Sequence, residues 1–113
     1  MSGKVTILGT EYAIIEQTDE DNPKLKDANG ICEIYAKKIV LNKIKQDTLT
    51  YEKIDLLRNK SLRHEIIHAF FAESGLRGSS DYAENEEFVD WIAIQFPKIA
   101  SAFKELGILE DQA

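Results

Sequence analysis

The spacing of hydrophobic positions changes character near residue 50 of this chain, from short strand-like runs to a helical period. Before that point, "KVTILGT" and "EYAIIEQ" are rich in β-branched and aromatic residues on either side of Gly9-Thr10, which predicts strands near 4–8 and 11–17. The polar run "EQTDEDNPKLKDANG" reads as a solvated loop, with Asn22-Pro23 and Asn29-Gly30 as turn signals. Two further short strands are predicted in "ICEIYAKKIVLN", where apolar residues recur at Ile34, Ile39 and Leu41. Lys37-Lys38 at their junction reads as a pair of solvated charges guarding an exposed sheet edge.

From Thr48 or Thr50 the apolar positions Ile54, Leu57, Leu62, Ile66 or Ile67, Phe70 and Phe71 predict a long, strongly amphipathic helix to about Ser74. Thr48 is a cap candidate, Glu52 and Asp55 supply acids for the first turn, and Gly75 is a natural residue just past the end. After the polar turn "GLRGSSD", Asp81 is the cap candidate for a second helix beginning near Tyr82 or Ala83. Along it Tyr82, Glu86, Val89, Ala93, Phe96, Ala100 and Phe103 recur at intervals of four and three, a predicted buried stripe. Pro97 is expected to kink or break that helix. The predicted architecture is α+β: one domain over residues 1–113, with a small, mostly antiparallel N-terminal sheet packed on the long helix and a second helix at the C-terminal end.

Composition narrows the class of partner. At 113 residues and a formal charge of -6, with no basic run, the chain is unsuited to nucleic acid or an anionic membrane. Its apolar runs are too short for a membrane span or a signal peptide, so a cytoplasmic protein is expected. The single cysteine, Cys32, agrees with a reducing compartment and reads as a small core residue.

Both histidines lie in "LRHEIIHAFFAESG". On a helix, positions i and i+4 share a face, so His64 and His68 present their imidazoles to one ion, and zinc accepts such nitrogens. Glu65 completes an H-E-x-x-H pattern, in which the glutamate takes a proton from a metal-activated water. A catalytic zinc needs a third protein ligand, and no histidine remains. Cys32 would make a less common ligand set, which favours a downstream carboxylate among Asp81, Glu84, Glu86, Glu87 and Asp90. Glu86 is the only acid on the apolar stripe, where a buried charge asks for a cation. Asp90, one turn later, is placed to accept the second ring N–H of a liganding histidine. Trp91 reads as core or as a wall of the site.

The residues "HEIIH" followed by "NEEFVD" resemble the gluzincin branch of zinc peptidases, in which H-E-x-x-H on one helix precedes N-E-x-x-x-D on the next. The short chain is most similar to compact phage and prophage zincin-like proteins, near the ImmA/IrrE-type metallopeptidases and the minigluzincins. That resemblance implies a zincin-like domain in which His64, His68 and Glu86 bind zinc, Glu65 is general base and Asp90 orients a histidine. It implies a zinc-dependent peptidase acting on a peptide or protein, whose activity falls on acidification as the histidines protonate. The chain departs from the larger enzymes in having no second helical lobe and no further histidine for the oxyanion. Tyr82 is the tyrosine chosen for that donor role, packing under the helix start being its alternative. The "KKIVLN" strand is expected to offer its edge to an extended substrate. Two competing readings are a catalytically silent binding or regulatory module with a structural metal, against which the intact Glu65 argues, and a helical interaction domain without metal.

Overall fold

The computed structural model describes residues 3–43 and 53–110. β1 (Gly3–Ile7) and β2 (Thr10–Gln17) form an antiparallel hairpin closed by the Ile7–Thr10 pair. The two residues between them, Leu8 and Gly9, have φ of 48° and 87°, and two left-handed residues give a turn whose twist matches that of the strands. β3 (Gly30–Glu33) pairs antiparallel with β4 (Lys38–Asn42), and β4 lies parallel to β2. The sheet order is β1-β2-β4-β3, mostly antiparallel as expected. A parallel pairing requires a long crossover, and the chain between β2 and β4 supplies it with a 3₁₀ turn at Pro23–Leu25 and β3 itself.

One expectation fails here. β4 is an interior strand, so "KKIVLN" offers no open edge, and the edge beside it belongs to β3. The unbroken triplet Ile39, Val40 and Leu41 is buried throughout, as suits a strand covered on both faces. Lys37 sits in the turn before β4 with φ of 55°, and its ammonium is 2.7 Å from Glu73 on the first helix instead of guarding an edge.

That helix, α1 (Ile54–Glu73), carries no side-chain cap at Lys53, and the expected cap region at Thr48 to Glu52 lies outside the described residues. It ends as expected, with Gly75 left-handed just beyond Ser74. Ile7, Tyr12, Ile14, Ile39 and Leu41 line one face of the sheet and pack on Ala69, flanked by Leu62 and Ile66. The fully buried line of α1 is Ser61, Glu65 and Ala69, small or polar residues one turn apart. The helix is therefore less amphipathic than its spacing promised: Ile66, Ile67 and Phe70 turn toward Ile92 and Phe96 of the second helix, and Phe70 remains 42% exposed. Small side chains on the buried line let α1 approach the sheet closely and carry Glu65 inward.

The second helix, α2 (Glu86–Glu105), begins later than expected because Asp81–Glu84 forms a 3₁₀ turn. Asn85, not Asp81, is its cap: the side-chain oxygen accepts from the Phe88 N–H at 2.8 Å. Of the predicted buried stripe only Val89 and Ala93 are fully enclosed, whereas Phe96 and Phe103 are 53% and 44% exposed. Trp91, at 55% exposed, is neither core nor a wall of the site. Pro97 does not break the helix. A proline there leaves the carbonyl of Ala93 without its intrahelical donor, and Arg63 of α1 replaces it, donating from Nε at 2.7 Å. No helix among the described residues is long and apolar enough to cross a membrane.

Candidate metal centre

α1 presents His64 and His68 from successive turns, their ring centroids 4.9 Å apart. The first residue of α2 meets them: Glu86 Oε2 is 2.9 Å from His64 Nε2, and Oε1 is 2.8 Å from His68 Nε2. One turn further along α2, Asp90 Oδ1 lies 3.0 Å from His64 Nδ1. The structure thus brings together four of the six residues singled out in the sequence, with Glu65 beside them. The reason given for Glu86 does not hold, however. Its side chain is 70% exposed and sits on no buried stripe; it reaches the imidazoles because the Asn85 cap starts α2 directly opposite them.

His64 faces a carboxylate at each ring nitrogen, yet a neutral imidazole carries a single N–H. His64 Nε2 lies between Glu86 Oε2 and His68 Nε2, the latter 3.2 Å away. In the neutral, metal-binding tautomers with Nε2 unprotonated, these three atoms would serve as three ligands to one cation. The spacing suits zinc, since tetrahedral ligands at ~2.0–2.1 Å from the ion stand roughly 3.3 Å from one another. His64, His68 and Glu86 offer ligand atoms that all lie within 4.8 Å of each other. Asp90 lies on the Nδ1 side of His64, where it would accept the N–H of a neutral ring that gives Nε2 to a metal. Two imidazole nitrogens and one carboxylate would leave the fourth position of a tetrahedral ion open.

Glu65 points the other way from a surface helix position, under the edge of the sheet, and is 7% exposed. Burial raises its carboxyl to about 7, with the Glu86 charge adding to the rise and His64 and Lys60 opposing it. Gly30 of β3 makes room for it: a Cβ there would lie 3.2 Å from Glu65 Cγ, tighter than side chains ordinarily pack. Burial likewise lowers the pKa of His68, which favours the neutral ring that binds metal. The β3 edge, Glu65, His68 and Glu86 share a cleft of ≈ 430 Å³. Cys32 lines that cleft and packs against the core, and its thiol is pushed up to about 12 by burial and by the Glu65 charge. It is not among the residues whose atoms converge on the ion position.

Tyr82 is not brought to this cleft. Its ring stands edge-on to Phe71 and Phe88, at 6.5 and 5.8 Å between centroids, an aromatic packed under the start of α2. The sequence reading also missed Lys60, whose Nζ lies 2.9 Å from Asp90 Oδ1, the oxygen that His64 uses. Its signal was available, since it precedes His64 by four residues and so shares that helix face. Burial raises the Asp90 carboxyl, and the hydrogen bonds from Lys60 and His64 outweigh it, leaving its pKa below the usual range. Comparison with protein-family models, with curated proteins and with solved structures gives no match for this chain, so its functional reading rests on the geometry of this site.

Proposed function

We propose that this chain is a zinc-dependent peptidase of the zincin-like kind, with His64, His68 and Glu86 as ligands and Glu65 as general base. The observation that carries the reading is the convergence of Glu86 on both imidazoles while Asp90 holds the far nitrogen of His64. When bound, zinc supplies Lewis-acid polarisation of the scissile carbonyl and acidifies a water. Glu65 takes a proton from the attacking water on its carboxylate and returns it to the leaving amine. Burial of Glu65 beside the cleft puts its carboxyl where a base would meet a water held between the ligands. β3, an edge strand whose residues line the same cleft, receives an extended peptide by adding it to the sheet. The reading includes a cytoplasmic setting, supported by the half-buried, unpaired thiol of Cys32.

The test is elemental analysis of the purified chain beside Glu86→Ala and Glu65→Gln, followed by a peptide-library digest. One zinc per chain is expected in the wild type and in Glu65→Gln, and loss of zinc in Glu86→Ala. Hydrolysis should fall by roughly 10²–10⁴-fold in Glu65→Gln, the ordinary contribution of a positioned acid–base group. A wild-type chain that takes up no zinc on reconstitution overturns the proposal.

A further inference from the structure

Asp90 Oδ1 accepts two donors at once, His64 Nδ1 at 3.0 Å and Lys60 Nζ at 2.9 Å. The arrangement spans both helices. Lys60 and His64 stand one turn apart on α1, and Glu86 and Asp90 one turn apart on α2. Each residue of one pair meets one of the other, and His64 touches both carboxylates. Asp90 is 35% exposed and Lys60 26%, so neither is locked by burial alone. Without Lys60, the carboxylate that orients His64 would have one remaining side-chain partner among the described residues and open access to water.

Resting on the metal-centre reading above, we infer that Lys60 is a positioning residue for the zinc ligands, acting through Asp90. The ammonium pins one carboxylate oxygen of Asp90 in line with the His64 ring, and so fixes the direction of the His64 Nε2 lone pair. It also holds the first turns of α2 against α1, which keeps Glu86 opposite both imidazoles. A charge pair this exposed adds little to global stability by itself, so its effect should be sought in the metal site rather than in the fold. Partners of metal-ligating histidines are commonly worth 10–100-fold in metal affinity, and Lys60, one contact further out, should be worth about fivefold to tenfold.

The experiment is zinc affinity by chelator competition for wild type, Lys60→Met, Asp90→Ala and the double variant, with the visible spectrum of each cobalt-loaded protein. Lys60→Met keeps the apolar stem and removes the charge. The expected result is a zinc dissociation constant raised about fivefold to tenfold, a shifted cobalt spectrum, and recovery of both in Lys60→Arg. In the Asp90→Ala background the same substitution should change nothing, because the residue through which Lys60 acts is gone. Unchanged or tighter zinc binding in Lys60→Met overturns the inference, as does an equal loss in both backgrounds. A wild type that binds neither metal overturns the metal centre itself, a distinct result. Circular dichroism of Lys60→Met and Lys60→Arg separates a folding defect from a weakened site.

Discussion

Two carboxylates on α1, eight residues apart, have opposite surroundings. Glu73 accepts hydrogen bonds from Thr10 Oγ1 at 3.0 Å, from Tyr12 Oη at 2.6 Å and from Lys37 Nζ at 2.7 Å, joining α1 to β2 and to the turn before β4. Those donors, Lys37 first, hold its carboxyl down at about 2. Glu65 is buried under Gly30 with no ammonium or hydroxyl within hydrogen-bond reach among the described residues, and its carboxyl is raised to about 7. The same residue type on the same helix is a clasp in one place and a proton carrier in waiting in the other. The difference lies in burial on one side and donors on the other: desolvation raises Glu65, and hydrogen bonds from Lys37, Tyr12 and Thr10 hold Glu73 down.

When stability is titrated in metal-free protein, the two residues should act with opposite sign. For Glu65 the folded value, about 7, lies above the ordinary 4.5, so its contribution is full below pH 4.5 and is lost as pH rises through about 7. Glu65→Gln keeps the neutral form at all pH and should be more stable than wild type at pH 8 by on the order of 1–3 kcal/mol, with the gain gone by pH 4. For Glu73 the folded value, about 2, lies below 4.5, so its contribution is present above pH 4.5 and is lost as pH falls through about 2. Glu73→Gln should be less stable than wild type at neutral pH and should converge with it near pH 2. Urea midpoints across this range for both variants check the pair. Two curves bending the same way would remove the distinction.

How much of this was visible beforehand follows from the reach of each signal. The helical repeat placed His64 and His68 on one turn-to-turn face with Glu65 next in the chain, because that geometry needs only four consecutive peptide units. The α+β layout followed from the change of period. Long-range partners did not. Tyr12 meets Glu73 across 61 positions and Lys60 meets Asp90 across 30, and no periodicity reports such pairs. Glu86 was chosen on a phase that began at Tyr82, but Asn85 starts the helix, and the true reason is a cap that sets α2 opposite the histidines. The interior place of β4 was hidden because strand order depends on the crossover and not on the strand's own residues.

A third polar contact of α1 extends the comparison to the backbone. Arg63 donates to the Ala93 carbonyl that Pro97 leaves without a helical donor. Arg63→Met should therefore cost about 1–3 kcal/mol, the penalty for a buried acceptor that loses its partner. In a Pro97→Ala background the helix supplies its own N–H, and most of that cost should vanish. A double-mutant cycle in urea measures the coupling. Additive effects would mean that Arg63 contributes only the packing of its stem against Ile66 and Phe96.

The smallest expected effect is the most discriminating for the rule itself. Ser61, one turn before Glu65 on the buried line of α1, is 5% exposed, and its hydroxyl oxygen has no hydrogen-bond partner among the described residues. If donors and acceptors decide what each polar group does here, a hydroxyl without a partner contributes nothing to stability and costs its own desolvation. Ser61→Ala removes that cost and adds a better helix former, so stability should stay within about 0.5 kcal/mol of wild type, on the stabilising side. Thermal unfolding of the metal-free variant measures it. A loss above about 1 kcal/mol would show that an ordered water satisfies the hydroxyl in solution, since a bridging water makes such a group as valuable as a direct bond. Such a water would sit in the polar cleft that Ser61 shares with Lys60, Glu65 and Asp90, and the surroundings of Glu65 would then be less dry than its burial implies.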